Sequence, residues 1–190
     1  MHTLIIGGTG MLAEASVSLA SCCETLTLVA RSKSSLSAID KKLEATKCHR
    51  HLLALDWSNH TDYVDSISQH IMSVGAPNLV LAWVHRESLA FELVAMIAPH
   101  TACTDFFHVR GSAAANPNRD AGSITASNIT NSHLDYHEII LGFKLTDSCT
   151  GPAARWLSHK EISAGVLLAI DNPKSRRIVG TVQPWSSRPG

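Results

Sequence analysis

The run LIIGGTGMLAEAS sets Gly7, Gly8 and Gly10 within four positions, between an apolar stretch and a segment able to wind into a helix. Two spacings fit it, Gly8-x-Gly10-x-x-Ala13 and Gly7-x-x-Gly10-x-x-Ala13. In either one, glycine permits a tight turn after a strand, lets the backbone approach a pyrophosphate, and with Ala13 lets the following helix pack closely on a sheet. The helix N-terminus beyond Thr9, Met11 and Leu12 would offer free N–H groups and a partial positive charge. The chemistry expected is dinucleotide binding. Such a turn can also be purely structural, so its surroundings decide.

The second informative position is the end of the next apolar run, in VARSKSS. A carboxylate there would receive the free ribose diol of NAD, and none is present. Arg31, with Ser32 and Lys33 beside it, suits a 2′-phosphate, so NADP is expected in preference to NAD. Asp56, in ALDWS, could hold an adenine edge or serve as a helix cap, with Ser58 the competing cap. Trp83 and His85 close a fourth apolar run at the carboxyl edge of a sheet, where His85 would face nicotinamide or substrate or else be a solvated loop histidine. His108 and Arg110 share a parity in the fifth run and point to the same crevice, Arg110 toward an anionic group or a surface ion pair.

These residues need a scaffold of short strands alternating with helices. Strands are expected at TLIIG, at Thr25–Ala30, at HLLALD ending on Asp56, at NLVLAWV and at DFFHV. Helices are expected from Met11 to Ala20, across SSLSAIDKKLEA, and where Tyr63, Val64, Ile67 and Ile71, then Ala90, Leu93, Val94 and Ile97, recur at helical spacing. NLVLAWV is apolar throughout, as a strand covered on both faces should be. From Gly111 to His133 the chain is rich in Ser, Asn, Ala and Gly without an apolar period, the pattern of a long loop that is either functional or mobile. YHEIILGFKL alternates as one sixth strand with Ile139, Leu141, Phe143 and Leu145 on one face. SHKE is a capping box opening a last helix with Ile162, Val166, Ala169 and Ile170 as its apolar stripe, and RRIVGTV closes the sheet. The whole reads as one domain over residues 1–190, a doubly wound, mostly parallel α/β sheet in three layers.

Sixteen basic and sixteen acidic side chains among 190 residues give no net field toward nucleic acid or an anionic membrane. No apolar run is long enough to span a bilayer and no basic leader precedes the first strand, so a cytoplasmic address is expected. Five cysteines without C-x-x-C are read as buried small hydrophobes. His49 and His51 could share a strand face, but a third ligand and H-E-x-x-H are missing, so no metal site is expected.

Taken together, GGTGMLA, ARS, the LD after the third strand and LVLAWVH resemble the short-chain dehydrogenase/reductase superfamily in its small, atypical branch. ILGF and RWLSHKEISAGVLLAI resemble small bacterial proteins of that kind. The resemblance implies a Rossmann fold and NADP binding. Members with the usual chemistry carry Tyr-x-x-x-Lys, in which one helical turn sets lysine beside tyrosine and lowers the phenol pKa. Neither Tyr63 nor Tyr136 is followed by lysine at the fourth position. Tyr136 and Lys144 would stand about 26 Å apart on a strand or about 12 Å apart on a helix. The catalytic candidates that remain are Ser112, near the family's serine position, His85 and Tyr136.

Two functions follow from an intact glycine turn beside a missing dyad. One is a reductase in which NADP(H) gives hydride to a small acceptor that takes its proton from water. The other is a sensor or scaffold that binds NADP(H) without turnover. Assembly into a homo-oligomer is open, and the residues do not name a substrate.

Overall fold

The structure, a computed structural model, describes residues 1–116, 133–148 and 151–190. The chain runs β1 (His2–Ile6), α1 (Ala13–Ala20), β2 (Thr25–Ala30), α2 (Lys33–Lys42), β3 (His49–Ala54), α3 (His60–Val74), β4 (Leu79–Trp83), α4 (Glu87–Ile97) and β5 (Thr104–Gly111). After the undescribed stretch come β6 (Leu134–Leu141), β7 (Phe143–Ser148), β8 (Gly151–Trp156), α5 (His159–Asp171) and β9 (Arg176–Val179). Seven strands form one parallel sheet in the order β3-β2-β1-β4-β5-β6-β9.

Strand alternation sorts the core into two layers. Ile5, Leu81, Phe107 and Ile139 face the side covered by α1, α2 and α5, where Leu12, Leu36 and Val166 meet them. Leu4, Ile6, Val80 and Phe106 face the side covered by α3 and α4, against Ile67, Ile71, Leu93 and Ile97. β4 is buried on both faces, as its unbroken apolar run requires. α5 opens on the capping box: the Ser158 side chain accepts from the Glu161 N–H, and the Glu161 side chain accepts from the Ser158 N–H.

The expected sixth strand over YHEIILGFKL is instead two strands. Ile139 and Leu141 share a core face, but at Gly142 the chain leaves the parallel sheet, and Phe143 exchanges two 2.8 Å backbone hydrogen bonds with Thr181. A Cβ on Gly142 would lie 2.1 Å from the Thr181 carbonyl oxygen, so this close crossing needs glycine. β7 then pairs antiparallel with β8, a strand the sequence pattern did not suggest, and Leu145 is exposed. The closing strand is likewise shorter than RRIVGTV, ending at Val179 before Gly180, whose φ is +79°.

β3 covers His49–Ala54, so Asp56 lies beyond the strand end. α1 starts at Ala13 and not at Met11, because the preceding residues form the turn itself. Cys48 is buried as expected, whereas Cys22 and Cys103 are exposed thiols. Cys149 and most of the Gly111–His133 loop lie outside the described residues. Among the described residues, no helix is long and apolar enough to cross a membrane, and no group of three metal-ligating side chains is placed to hold an ion.

Candidate active-site cleft

Sheet order reverses at β1: the chain moves outward to β2 and β3, then returns to the other side of β1 as β4. Crevices for ligands open at the carboxyl ends of strands at such a switch point. Here a cavity of about 340 Å³ lies over that point, lined by Gly7, Thr9, Gly10 and Met11 from the glycine turn and by Ala30 and Arg31 from the end of β2. Trp83 and His85 from the end of β4 form its opposite wall.

The three glycines do different work. Gly7 takes the left-handed turn at φ +76°, and its N–H donates to the Val29 carbonyl at 2.9 Å. A Cβ there would come within 2.8 Å of the Trp83 carbonyl oxygen. At Gly8 a Cβ would strike Ser16 Oγ at 2.4 Å, the hydroxyl that donates to the Gly8 carbonyl at 2.9 Å, so this glycine serves the seating of α1 on the sheet. A Cβ on Gly10 would meet nothing within 4 Å. Of the two spacings in the sequence, Gly7-x-x-Gly10-x-x-Ala13 is therefore the one that pairs the turn glycine with the open glycine.

None of the N–H groups of Thr9, Gly10, Met11 or Leu12 donates to a backbone carbonyl among the described residues, and the Leu12 side chain makes no cap bond. The N-terminus of α1 thus presents open donors toward the crevice. The Leu12 side chain itself is fully buried beneath the turn, so only its backbone belongs to the site. Ser163 on α5 donates to the Met11 carbonyl at 3.1 Å and fixes the outer side of the turn.

Around the end of β2, Arg31 is exposed and lines the cavity, while Ser32 caps α2 by accepting from the Ser35 N–H at 3.2 Å. Lys33 is exposed as the first residue of that helix. Asp56 does not line the cavity. It is exposed and accepts from the Ser58 N–H at 2.9 Å, which, with the Ser58 hydroxyl and the nearby charge of Arg31, holds its carboxyl below the usual carboxylate range. The N-cap of α3 is Asn59, neither Asp56 nor Ser58. Leu55, Trp57, Tyr63 and His159 also line the cavity. Trp57 follows Asp56 in the motif that was legible, but His159 comes from α5, far away in the chain, and nothing local signals it.

Two further cavities adjoin the first through Trp83. One, of about 330 Å³, is lined by His85, Glu87, His108 and Arg110. It brings together the residues expected to share a crevice, but Arg110 is ion-paired with both Glu87 and Glu138, and Glu138 is held in turn by Arg176 at 3.1 Å. Arg110 is therefore a structural cation here. Burial first, and the charge of Arg110 second, push the His108 pKa down to about 4, so that its ring is neutral. His85 is exposed, with its ring edge-on to Trp83 at 5.2 Å.

Tyr136 does not reach the cleft as an acid. It lies in the core of the α3–α4 layer, stacked on Phe106, with its hydroxyl 2.6 Å from His108 Nδ1 and its pKa raised by burial. Ser112 follows β5 in a 3-10 turn, is 4% exposed, and accepts from Arg188 Nε at 2.9 Å. It lines the third cavity, of about 270 Å³, with Met11, Trp83, Trp156 and Arg188.

Solved structures share this fold. The chain matches a putative oxidoreductase from Escherichia coli K-12 over 100% of its length and 99% of that chain, with a TM-score of 0.75 at 13% identity. The fold is that of the short-chain oxidoreductases. A bulky-bulky ketone specific alcohol dehydrogenase from Comamonas testosteroni matches over 97% of this chain and 88% of its own, with a TM-score of 0.73 at 12% identity. A Sphingobium yanoikuyae short-chain dehydrogenase, solved in complex with NADPH, matches over 97% and 91%, with a TM-score of 0.70 at 14% identity. No family model matches the chain, and no curated protein matches it in sequence.

Proposed function

We propose that the chain binds NADP(H) in the cleft over the glycine turn and works as a reductase without a Tyr/Lys dyad. The observation that carries this reading is the row of unpartnered N–H groups from Thr9 to Leu12 beneath a Gly10 that faces open space. These donors suit a pyrophosphate, which needs both hydrogen bonds and backbone contact too close for a side chain. Arg31, with Lys33 and the start of α2, would hold the 2′-phosphate, and Trp83 would flank the nicotinamide ribose. The cofactor, when bound, supplies the hydride.

The chain's part is to position the nicotinamide against the acceptor. Tyr136 has its hydroxyl on His108 in the core of the α3–α4 layer, so it supports no proton relay to the cleft. Acceptors that take their proton from water, such as flavins, quinones and conjugated systems, fit this arrangement. The same sealed tyrosine favours a second reading, an NADP(H) sensor or scaffold without turnover. Purified protein mixed with NADPH and flavin, quinone or aldehyde acceptors separates the two by absorbance at the nicotinamide band. Oxidation supports the reductase; tight binding with no oxidation in any mixture supports the sensor. Absence of NADP and NAD binding by calorimetry would remove both.

A further inference from the structure

Apart from Arg31 and Lys33 at the end of β2, several cations near the cleft are already spent on carboxylates. Arg110 is held by Glu87 and Glu138, Arg176 by Glu138, and Arg155 and Lys144 by Glu161. Arg188 pairs with no carboxylate among the described residues. Its guanidinium lies over Trp156 at 5.1 Å and Trp185 at 5.5 Å, and only Nε is engaged, donating to Ser112 Oγ. Aromatic faces attract a guanidinium and limit its freedom, which leaves the Nη groups as a fork already oriented.

Ser112 adds a second unspent donor. Its oxygen accepts from Arg188, and its own proton has no acceptor among the described residues, although the residue is 4% exposed. Both groups line the third cavity, whose other walls are apolar, with Leu141, Leu157 and Ile162 beside the face of Trp156. Arg188 is the one charged residue among those described in that lining. A cavity with an apolar body and one cationic, donor-rich end is complementary to an amphipathic anion. The planar fork favours a carboxylate, which can accept from both Nη groups at once.

We propose that this cavity binds an organic carboxylate with an apolar body, its charged end met by Arg188 and Ser112. Met11 and Trp83 belong to this cavity and to the cofactor cleft alike, so the bound anion sits beside the nicotinamide end. That it is the hydride acceptor rests on the proposed function; the anion site itself does not.

The test uses trans-cinnamate and its neutral counterpart trans-cinnamide, titrated by calorimetry into the full chain. The expected result is that the carboxylate binds at least about tenfold tighter than the amide. Arg188→Gln should abolish that preference, and Arg188→Lys should keep part of it by retaining the charge. Should Arg188→Gln fail to fold, the wild-type comparison and Arg188→Lys still decide. Equal affinity for the two probes in the wild type, or a preference that survives Arg188→Gln, overturns the site. NADPH titrated into the same preparations keeps the two ideas apart. A carboxylate preference without NADPH binding supports the anion site and removes the reductase, whereas NADPH binding without the preference removes the anion site alone.

Discussion

Replacing Gly10 and Gly7 by alanine, one at a time, separates the ligand role of the glycine turn from its structural role. Gly10 has ordinary backbone dihedrals, and its Cβ would enter open space, so Gly10→Ala creates no contact in the folded chain. Lower entropy of the unfolded chain should even stabilise it, by about 0.4–1 kcal/mol. Gly7 is the opposite case. Its left-handed φ costs a side chain about 1–2 kcal/mol, and the Trp83 carbonyl at 2.8 Å adds an overpacking cost of about 1–3 kcal/mol. With a urea slope of about 2 kcal/mol/M, Gly7→Ala should lower the denaturation midpoint by about 1–2.5 M, and Gly10→Ala should not lower it. Binding should reverse the ranking of effects. An alanine methyl at Gly10 stands where the proposed site brings the pyrophosphate, and losing one charge-assisted hydrogen bond, about 1.5–3 kcal/mol, should weaken NADPH roughly 10- to 100-fold. Calorimetry with NADPH and urea melts followed by tryptophan fluorescence measure both quantities. Wild-type affinity in Gly10→Ala would refute the placement of the pyrophosphate, and a wild-type midpoint in Gly7→Ala would refute the backbone argument.

Arg31→Asp should weaken NADP at least about tenfold more than NAD, since it replaces a phosphate partner by a carboxylate suited to a free diol; equal losses in the two titrations would take Arg31 out of the 2′-phosphate role. His108 binds its proton at about pH 4 in the folded chain against an ordinary 6.5, so the unfolded chain takes up a proton first as pH falls. The stability this provides is whole above pH 6.5 and is lost as pH drops toward 4, on the order of 3 kcal/mol, with buried His2 and half-buried His70 shifted in the same direction. The urea midpoint should fall across that window and His108→Gln should flatten the fall; the same slope in the variant would exclude His108 as its source. Gly165 lets α5 lie against β9, where a Cβ would come within 2.2 Å of Val179 Cγ1. Gly165→Ala should cost about 1–3 kcal/mol, recovered in part by a second change, Val179→Ala, and simple additivity of the two losses in urea melts would contradict that contact.

Much of the scaffold is written locally. The doubly covered β4, the helical stripe of Tyr63, Ile67 and Ile71, and the Ser158–Glu161 capping box each depend on residues a few positions apart, so periodicity reveals them. The same is true of the glycine turn, though its two spacings could not be told apart without the φ of Gly7 and the open space above Gly10. The break after β6 was hidden because alternation continues through ILGFKL, and only the crossing of Thr181 over Gly142 ends the strand.

What the sequence by itself determined is the order of the elements through β5, the faces they bury and the position of a glycine turn at the carboxyl edge of a parallel sheet. What only the tertiary structure decided is the partner of each polar side chain around that edge. Arg110 reads as either an anion receptor or an ion-pair partner until Glu87 and Glu138 close on it, and Tyr136 as a candidate acid until its hydroxyl is found on His108. Arg188 acquires a role only because the chain brings it 76 positions back to Ser112. Burial follows from local periodicity, but a charge or a hydroxyl is defined by its neighbours, and those neighbours come from strands and segments that meet only when the sheet is assembled.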